Sequence, residues 1–420
     1  MGSLIGRGRL KVSVGVADRL PAPSAAVPLV FLALQDASRP SPGERAPRAR
    51  VRAPRPGRDG IWLEQLRFDS RADLSPLPGL EGPHPSGLRD AVRLALAAGA
   101  SFCDVLLVGC PDVRPWELYR PELADAVAPA LDGLHGAAVA LPDLGGPAVL
   151  GPADPLSPDE RAWIAHRNLR ALAPGLRARH QLGLVDSLGD DLAAAEAAGN
   201  ADISLVAWEG SAEDRVAHGW RSAAALVAGV LARPDHPMIH GVDGVRLTLP
   251  PGRPRPTGRR ARLSGSTGLA PVFSDLESHH ITAHLDGDQA VLMGDATLRR
   301  PLLTWPLPAL RTASILHLRL LRAAEAFVFR PVQPIHAFAL GLALEQVMRP
   351  LAEAGVVVGP QGAGAPSIRA AVLPDPGAPG FVAEVRGELR PWCRVVDLRV
   401  GVSADGAIVQ SAGAPALAGR

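Results

Sequence analysis

Three groups of side chains in this sequence have types and spacings that could do chemistry. His279, His280 and His284 include a pair four residues apart. That is the separation of H-E-x-x-H, in which two imidazoles on one helix face hold zinc and the enclosed Glu acts as base. Here the enclosed residues are Ile281, Thr282 and Ala283. Ile and Thr favour a strand, where such a pair shares a face but stands too far apart to share an ion. Asp186-Ser187, with His180 nearby, could begin a nucleophilic serine site. A Ser/Asp/Gly turn after a strand accounts for the same residues. Cys103 and Cys110 bracket an apolar run. A catalytic thiolate needs an electropositive setting, which the neighbouring residues do not supply, and a buried Cys behaves as a small hydrophobe.

Loops that cradle phosphates are absent. Lys11 is the only lysine, so no G-x-x-x-x-G-K-[ST] can be written. Gly109-Cys110-Pro111-Asp112 follows the run ending at Val108 where a dinucleotide site would carry G-x-G-x-x-G, and no G-x-S-x-G occurs. The Arg-rich tracts 43–58 and 252–262 could meet phosphates, but they lack interleaved aromatics and read as solvated linkers or charged interfaces. No residue is therefore assigned a catalytic, cofactor-binding or metal-binding role, and neither a cofactor nor a nucleic-acid partner is expected.

The elements around these residues alternate. A helix from Ser86, with Leu88, Val92 and Leu96 on one face, is stopped by Gly99 and leads to the continuous apolar strand Asp104-Val-Leu-Leu-Val108. A helix over 121–134, a strand over 137–141 and a helix opened by Ser157-Pro158-Asp159-Glu160 follow. Then come a strand over 181–186, a short Ala-rich helix, a strand over 203–208 and a small-residue helix over 222–232. Strands alternating with helices predict an α/β domain with a mainly parallel sheet. Farther on, helices over 311–326 and 335–353, short strands at 327–329 and 356–358, and alternating strands over 381–385 and 394–400 predict an α+β region. The expected division is an arm or linker over 1–60, an α/β domain over 61–240, a connecting region with an exposed Pro/Arg loop over 241–300, and an α+β domain with a terminal strand arm over 301–420.

The 420 residues are 47% hydrophobic, 20% charged and 4% aromatic, which supplies cores of Leu, Val and Ala rather than rings and excludes a largely disordered chain. The net charge of +2 favours neither a nucleic-acid nor an acidic-partner role. Cys103, Cys110 and Cys393 are too few for a disulfide framework and fit a reducing compartment. The apolar stretch 25–34 is too short for a membrane helix, is interrupted by Pro28, and lacks a clear cleavage site. Cytoplasmic synthesis is expected.

Four segments, in order, resemble the contractile tail sheath family of phages and related injection systems. Asp104-Val-Leu-Leu-Val-Gly-Cys-Pro-Asp112 is similar to its early strand and Pro-containing turn. His180-Gln-Leu-Gly-Leu-Val-Asp186 and the stretch 201–208 resemble "rFALLDpP" and "aAlYyPw". Ser222-Ala-Ala-Ala-Leu-Val-Ala-Gly-Val-Leu-Ala-Arg-Pro-Asp235 resembles "pSgyVAGviArtD", the most specific of the four. Leu292-Met-Gly-Asp-Ala-Thr-Leu298 resembles "vWGaRTL" and is followed by Phe327-Val-Phe-Arg-Pro331 and Ala354-Gly-Val-Val-Val358, similar to "wvvFePN" and "aGal". Met293-Gly294-Asp295-Ala296 stands where the family has Trp-Gly-Ala-Arg, a clear "tPGVYveE" opening is missing, with Ile61-Trp-Leu-Glu-Gln65 resembling a degenerate counterpart, and the usual C-terminal Pro-x-Glu-Phe strand is missing.

The resemblance implies a non-enzymatic structural subunit. It would polymerise as stacked hexameric rings around an inner tube, meet baseplate and cap proteins, and contract to drive the tube into a target cell. It would end in a phage tail or phage-tail-like particle without stable membrane insertion, and could be a paralogue specialised for the baseplate or cap. Residues 15–35, 61–68 and 381–408 are the expected linking strands between subunits. The competing readings are a doubly wound α/β enzyme, with a pocket near Gly109–Asp112 and 186–190, and a monomeric scaffold module.

Overall fold

The computed structural model describes residues 29–35, 50–52, 62–75, 77, 87–109, 138–140, 158–178, 181–186, 202–209, 222–250, 280–295, 297, 305–360, 364–373, 379–392 and 394–411. Ten strands form the first sheet: β1 (Leu29–Gln35), β2 (Arg50–Arg52), β3 (Trp62–Asp69), β4 (Phe102–Gly109), β5 (Ala138–Ala140), β6 (Leu182–Asp186), β7 (Ile203–Glu209), β8 (Arg246–Thr248), β9 (His280–Asp286) and β10 (Gln289–Met293). Their order is β2-β3-β4-β1-β5-β6-β7-β9-β10-β8. The run from β4 to β9 is parallel, and antiparallel strands flank it on both sides.

This order corrects the expected division of the chain. Leu29–Gln35 is a central strand, pairing in parallel with β4 on one edge and β5 on the other. Its continuous apolar sequence is that of a strand enclosed within a parallel sheet. Arg50–Arg52, read as part of a linker, pairs with β3. β9 lies beside β7, so residues assigned to a connecting region continue the same sheet.

Helix α1 (Leu88–Ala97) buries Leu88, Ala91, Val92, Leu94 and Ala95 and ends before Gly99, whose φ of 113° suits a residue without a Cβ. Its N-cap is Gly87 rather than Ser86, with no side-chain cap. Helix α2 (Pro158–Ala178) precedes β6. Helix α3 (Ala223–Leu231) is buried at every position. A helix apolar on all sides belongs inside a core, and α3 lies against α1 and strands β5, β6 and β7. The helix expected over 121–134, the Ala-rich helix and most of the 250–262 excursion lie outside the described residues.

Helices α4 (Leu307–Glu325) and α5 (Pro334–Glu353) pack together beside a second, antiparallel sheet of β11 (Val357–Val358), β12 (Ser367–Leu373), β13 (Gly380–Leu389), β14 (Arg394–Ser403) and β15 (Gly406–Ser411). One face is buried through Phe381, Ala383 and Val385 of β13 and Val396, Leu398, Val400 and Val402 of β14. The intervening residues are partly or fully exposed, the alternation of a half-buried strand. α4 contacts β14 and β15 and also reaches β6 of the first sheet. Phe327-Val-Phe329, expected as a strand, is a turn between α4 and α5, closed by Phe327 N–H to Ala324 O and Arg330 N–H to Phe327 O. Local β-propensity yields there to the need to reverse the chain between two packed helices.

The described parts of the expected linking segments are paired within their own chain. β1, β3, β13 and β14 each have strand partners on both edges. Among the described residues of those segments, only β15 has a single partner, β14. Residues 15–28 lie outside the described residues.

Candidate assembly surface

Among the described residues, those that could have done chemistry are apart or enclosed. His280 and His284 sit at positions one and five of β9, roughly 13 Å apart at the rise of an extended strand. Among the described residues no three His, Cys, Asp or Glu side chains come together as a metal would need. Cys103 is buried, and burial, followed by the neighbouring Asp104 charge, pushes its thiol up. Asp104 makes a two-pronged ion pair with Arg67, at 2.6 and 2.8 Å, and the Arg67 guanidinium lies 4.4 Å from the Phe102 ring centre. His180, Ser187, His279, Cys110, Pro111, Asp112 and Cys393 lie outside the described residues.

Asp186 holds structure. Its Oδ1 accepts the Ala224 N–H at 2.8 Å while Ser222 Oγ accepts that of Ala225 at 3.1 Å, so two otherwise orphaned donors at the start of α3 are satisfied. Asp186→Ala is expected to lower stability by about 1 kcal/mol, measured as a shift in the urea midpoint; an unchanged midpoint would remove Asp186 from the cap.

Asp295 also holds structure. Its Oδ1 accepts the Val242 N–H at 2.7 Å, and Asp243 Oδ1 in return accepts the Gly294 N–H at 2.8 Å, tying the 241–244 turn to the end of β10. The Asp295 carboxylate fills the place a Cβ on Gly241 would occupy. Burial, the largest influence, pushes its carboxyl above the usual range.

Beneath this turn the Arg311 side chain of α4 is 1% exposed. Its guanidinium donates to the carbonyls of Pro237 (2.7 Å) and Leu231 (2.7 Å), with longer contacts to His236 (3.3 Å) and His240 (3.4 Å). Burial lowers its pKa to about 10, so it remains a cation at neutral pH.

An open depression of about 520 Å³ between α1 and the turn after β3 is lined by Asp69, Asp73, Ser75, Arg89, Arg93 and Leu96. Its polar groups are engaged with one another or with its walls: Ser75 with Asp73, Arg89 with Leu77 O, and Arg93 with Asp90.

Two surfaces instead suit assembly. α5 buries Ala337, Leu340, Leu344, Met348 and Leu351 on one side, yet Ile335 (63%), Phe338 (64%) and Leu342 (43%) stand exposed on the other, and Phe329 (78%) is exposed in the preceding turn. Contiguous exposed apolar side chains of this kind mark contact surfaces. The 335/338/342 spacing is readable in the sequence, but a helix apolar on two sides does not announce which side is covered. The second surface is β15, Gly-Ala-Ile-Val-Gln-Ser, an edge strand without the charges or proline that usually blunt one.

No family model and no curated protein matches the chain. Solved structures similar to it include the following three. One is the six-fold symmetrised baseplate of the anti-feeding prophage, with 15% identity, 83% of each chain covered and a TM-score of 0.49. Another is the helical sheath of that prophage in its contracted state, with 18% identity, 86% of this chain and 89% of that chain covered, and a TM-score of 0.48. The third is the PVC sheath complex of an extracellular contractile injection system in its contracted state, with 14% identity, 83% and 81% covered, and a TM-score of 0.44.

Proposed function

We propose that this chain is a structural subunit of a contractile sheath, assembling with copies of itself around an inner tube in a phage-tail-like particle. The observation that carries the reading is the order of the sheath-like segments, which fall on consecutive parts of the structure. They occupy β4, then β6 and β7, then α3 with its Ser222 cap, then the end of β10, and finally the α4–α5 turn and β11. In this reading the unblunted edge of β15 receives an extended segment of a neighbouring subunit, giving a joint made of backbone hydrogen bonds that holds while subunit bodies move. The Ile335–Phe338–Leu342 stripe of α5 rests against the inner tube. Covering three such side chains is worth about 5 kcal/mol before association costs. Extended and contracted sheaths are then two packings of one body, with the energy released as contacts form.

The test is co-expression with its operon neighbours, including any tube protein among them, followed by sedimentation and negative-stain microscopy. Striated rods or collars containing the chain are expected. The double variant Ile335→Asp, Phe338→Asp is expected to fold with an unchanged melting temperature, since both sites are exposed, and to be lost from tube-containing particles. A chain that stays monomeric beside assembled tubes would overturn the sheath reading; double-variant subunits that still enter the particles would overturn the role of α5.

A further inference from the structure

The segment from Leu231 to Gly241 carries a cluster the assembly reading does not use. It wraps the Arg311 guanidinium with four of its backbone carbonyls, and no carboxylate bonds that guanidinium among the described residues. The imidazole of His236 belongs to the same segment. Its Nε2 lies 2.9 Å from Gly241 O, and its ring meets that of His240 edge-on at 6.4 Å. The charges acting on His236 are Arg311 from α4 and Arg233 from its own segment. Asp295, reaching in from the end of β10, fills the space beside Gly241 and is occupied by the Val242 N–H.

We propose that this segment and Arg311 form an acid-sensitive latch between the α/β body and α4. With His236 neutral, its Nε2–H donates to Gly241 O and the carbonyl cluster serves one buried cation. Protonation at Nδ1 sets a second cation against the first, and the charges that act on His236 among the described residues, Arg311 and Arg233, are both positive. Opening the segment returns both charges to water. Because α4 also carries the second sheet through β14 and β15, the latch joins the two sheets of the subunit, and acid would loosen that joint without melting either sheet.

The electrostatics have the required sign. Burial, then Arg311, holds the His236 imidazole below its ordinary pKa, partly offset by the carbonyls of Gly241 and His240. A base depressed in the folded state contributes stability above its unfolded pKa, and that contribution is lost as the pH falls through the folded one. The latch is therefore closed at neutral pH and weakens on acidification.

Hydrogen exchange on the full chain, corrected for intrinsic rates, tests this at about pH 7.5 and about pH 5, either side of the ordinary imidazole range. In the wild type, peptides covering 231–241 and the start of α4 should lose protection at the lower pH while β13 and β14 keep theirs. His236→Asn, neutral at both values, should remove the difference. An equal loss in His236→Asn, or retained protection in the wild type, overturns the latch. Should that variant fail to fold, imidazole nitrogen NMR of the wild type decides: titration of His236 below the ordinary histidine range supports the latch, and titration at or above it refutes it.

Discussion

Gly229→Val is expected to destabilise the protein by about 3 kcal/mol or more, the upper range for overfilling a packed core. Gly229 lies within α3 where that helix crosses α1, and a Cβ there would fall 2.4 Å from Ala95 O, 2.6 Å from Ala98 Cβ and 2.8 Å from Ala95 Cα. Two of these are backbone atoms of a neighbouring helix, so no rotamer change relieves the clash. The helices must separate, and with them the apolar layer in which every position of α3 is buried. Even Gly229→Ala, which gains about 1 kcal/mol of helix propensity, should lose about 2 kcal/mol net. Denaturant unfolding measures both. A Gly229→Ala variant as stable as the wild type would mean that α1 and α3 do not approach this closely in solution.

Arg311→Met should cost about 3 kcal/mol. The side chain is replaced by one that still fills apolar space, so the loss is chiefly that of the donors. The carbonyls of Leu231 and Pro237, each 2.7 Å from the guanidinium, lose a partner inside the protein, at about 1–3 kcal/mol for each buried group left unsatisfied. Part of this is offset because a guanidinium no longer has to be desolvated. Arg311→Lys should lose about 2 kcal/mol, because a compact ammonium cannot span carbonyls that a planar fork reaches together. Arg330→Met, at an exposed position, is the control and should stay within about 0.5 kcal/mol of the wild type. Equal midpoints for Arg311→Met and the control would show that the carbonyls find other donors.

Much of this architecture was readable from local pattern. The run of small apolar residues over 222–232 marked α3, and Gly99 marked a helix end where the backbone indeed turns to positive φ. What was not readable depends on distant partners. The run at Leu29–Gln35 is apolar whether it enters a signal sequence or the middle of a parallel sheet, and only its pairing with β4 and β5 decides. Arg311 shares α4 with Arg319 and Arg322, and nothing in its spacing says that it alone points into a nest of carbonyls. Asp186 was legible as a turn residue, but not as the cap of a helix 38 positions away in sequence. The face of α5 left exposed could be proposed only after Leu340, Leu344 and Met348 were seen to fill the core.

The position of β1 also governs how the protein can reach its native state. β2, β3 and β4 form one hydrogen-bonded block, and β5 through β10 form another, and within the described sheet β1 alone joins them. Leu29 meets Cys103 on one side and Ala138 on the other, so both ladders close loops of many tens of residues. The two blocks cannot be joined into one sheet by local zippering. Contacts of such high order slow folding, because loop entropy is lost before the ladder forms. If β1 docks in the folding transition state, substitutions in Leu29–Gln35 should slow refolding more than they speed unfolding in stopped-flow chevrons; the opposite split would place its docking after the barrier. During synthesis this strand leaves the ribosome ahead of both neighbours, an apolar segment whose two edges wait for sequence not yet made.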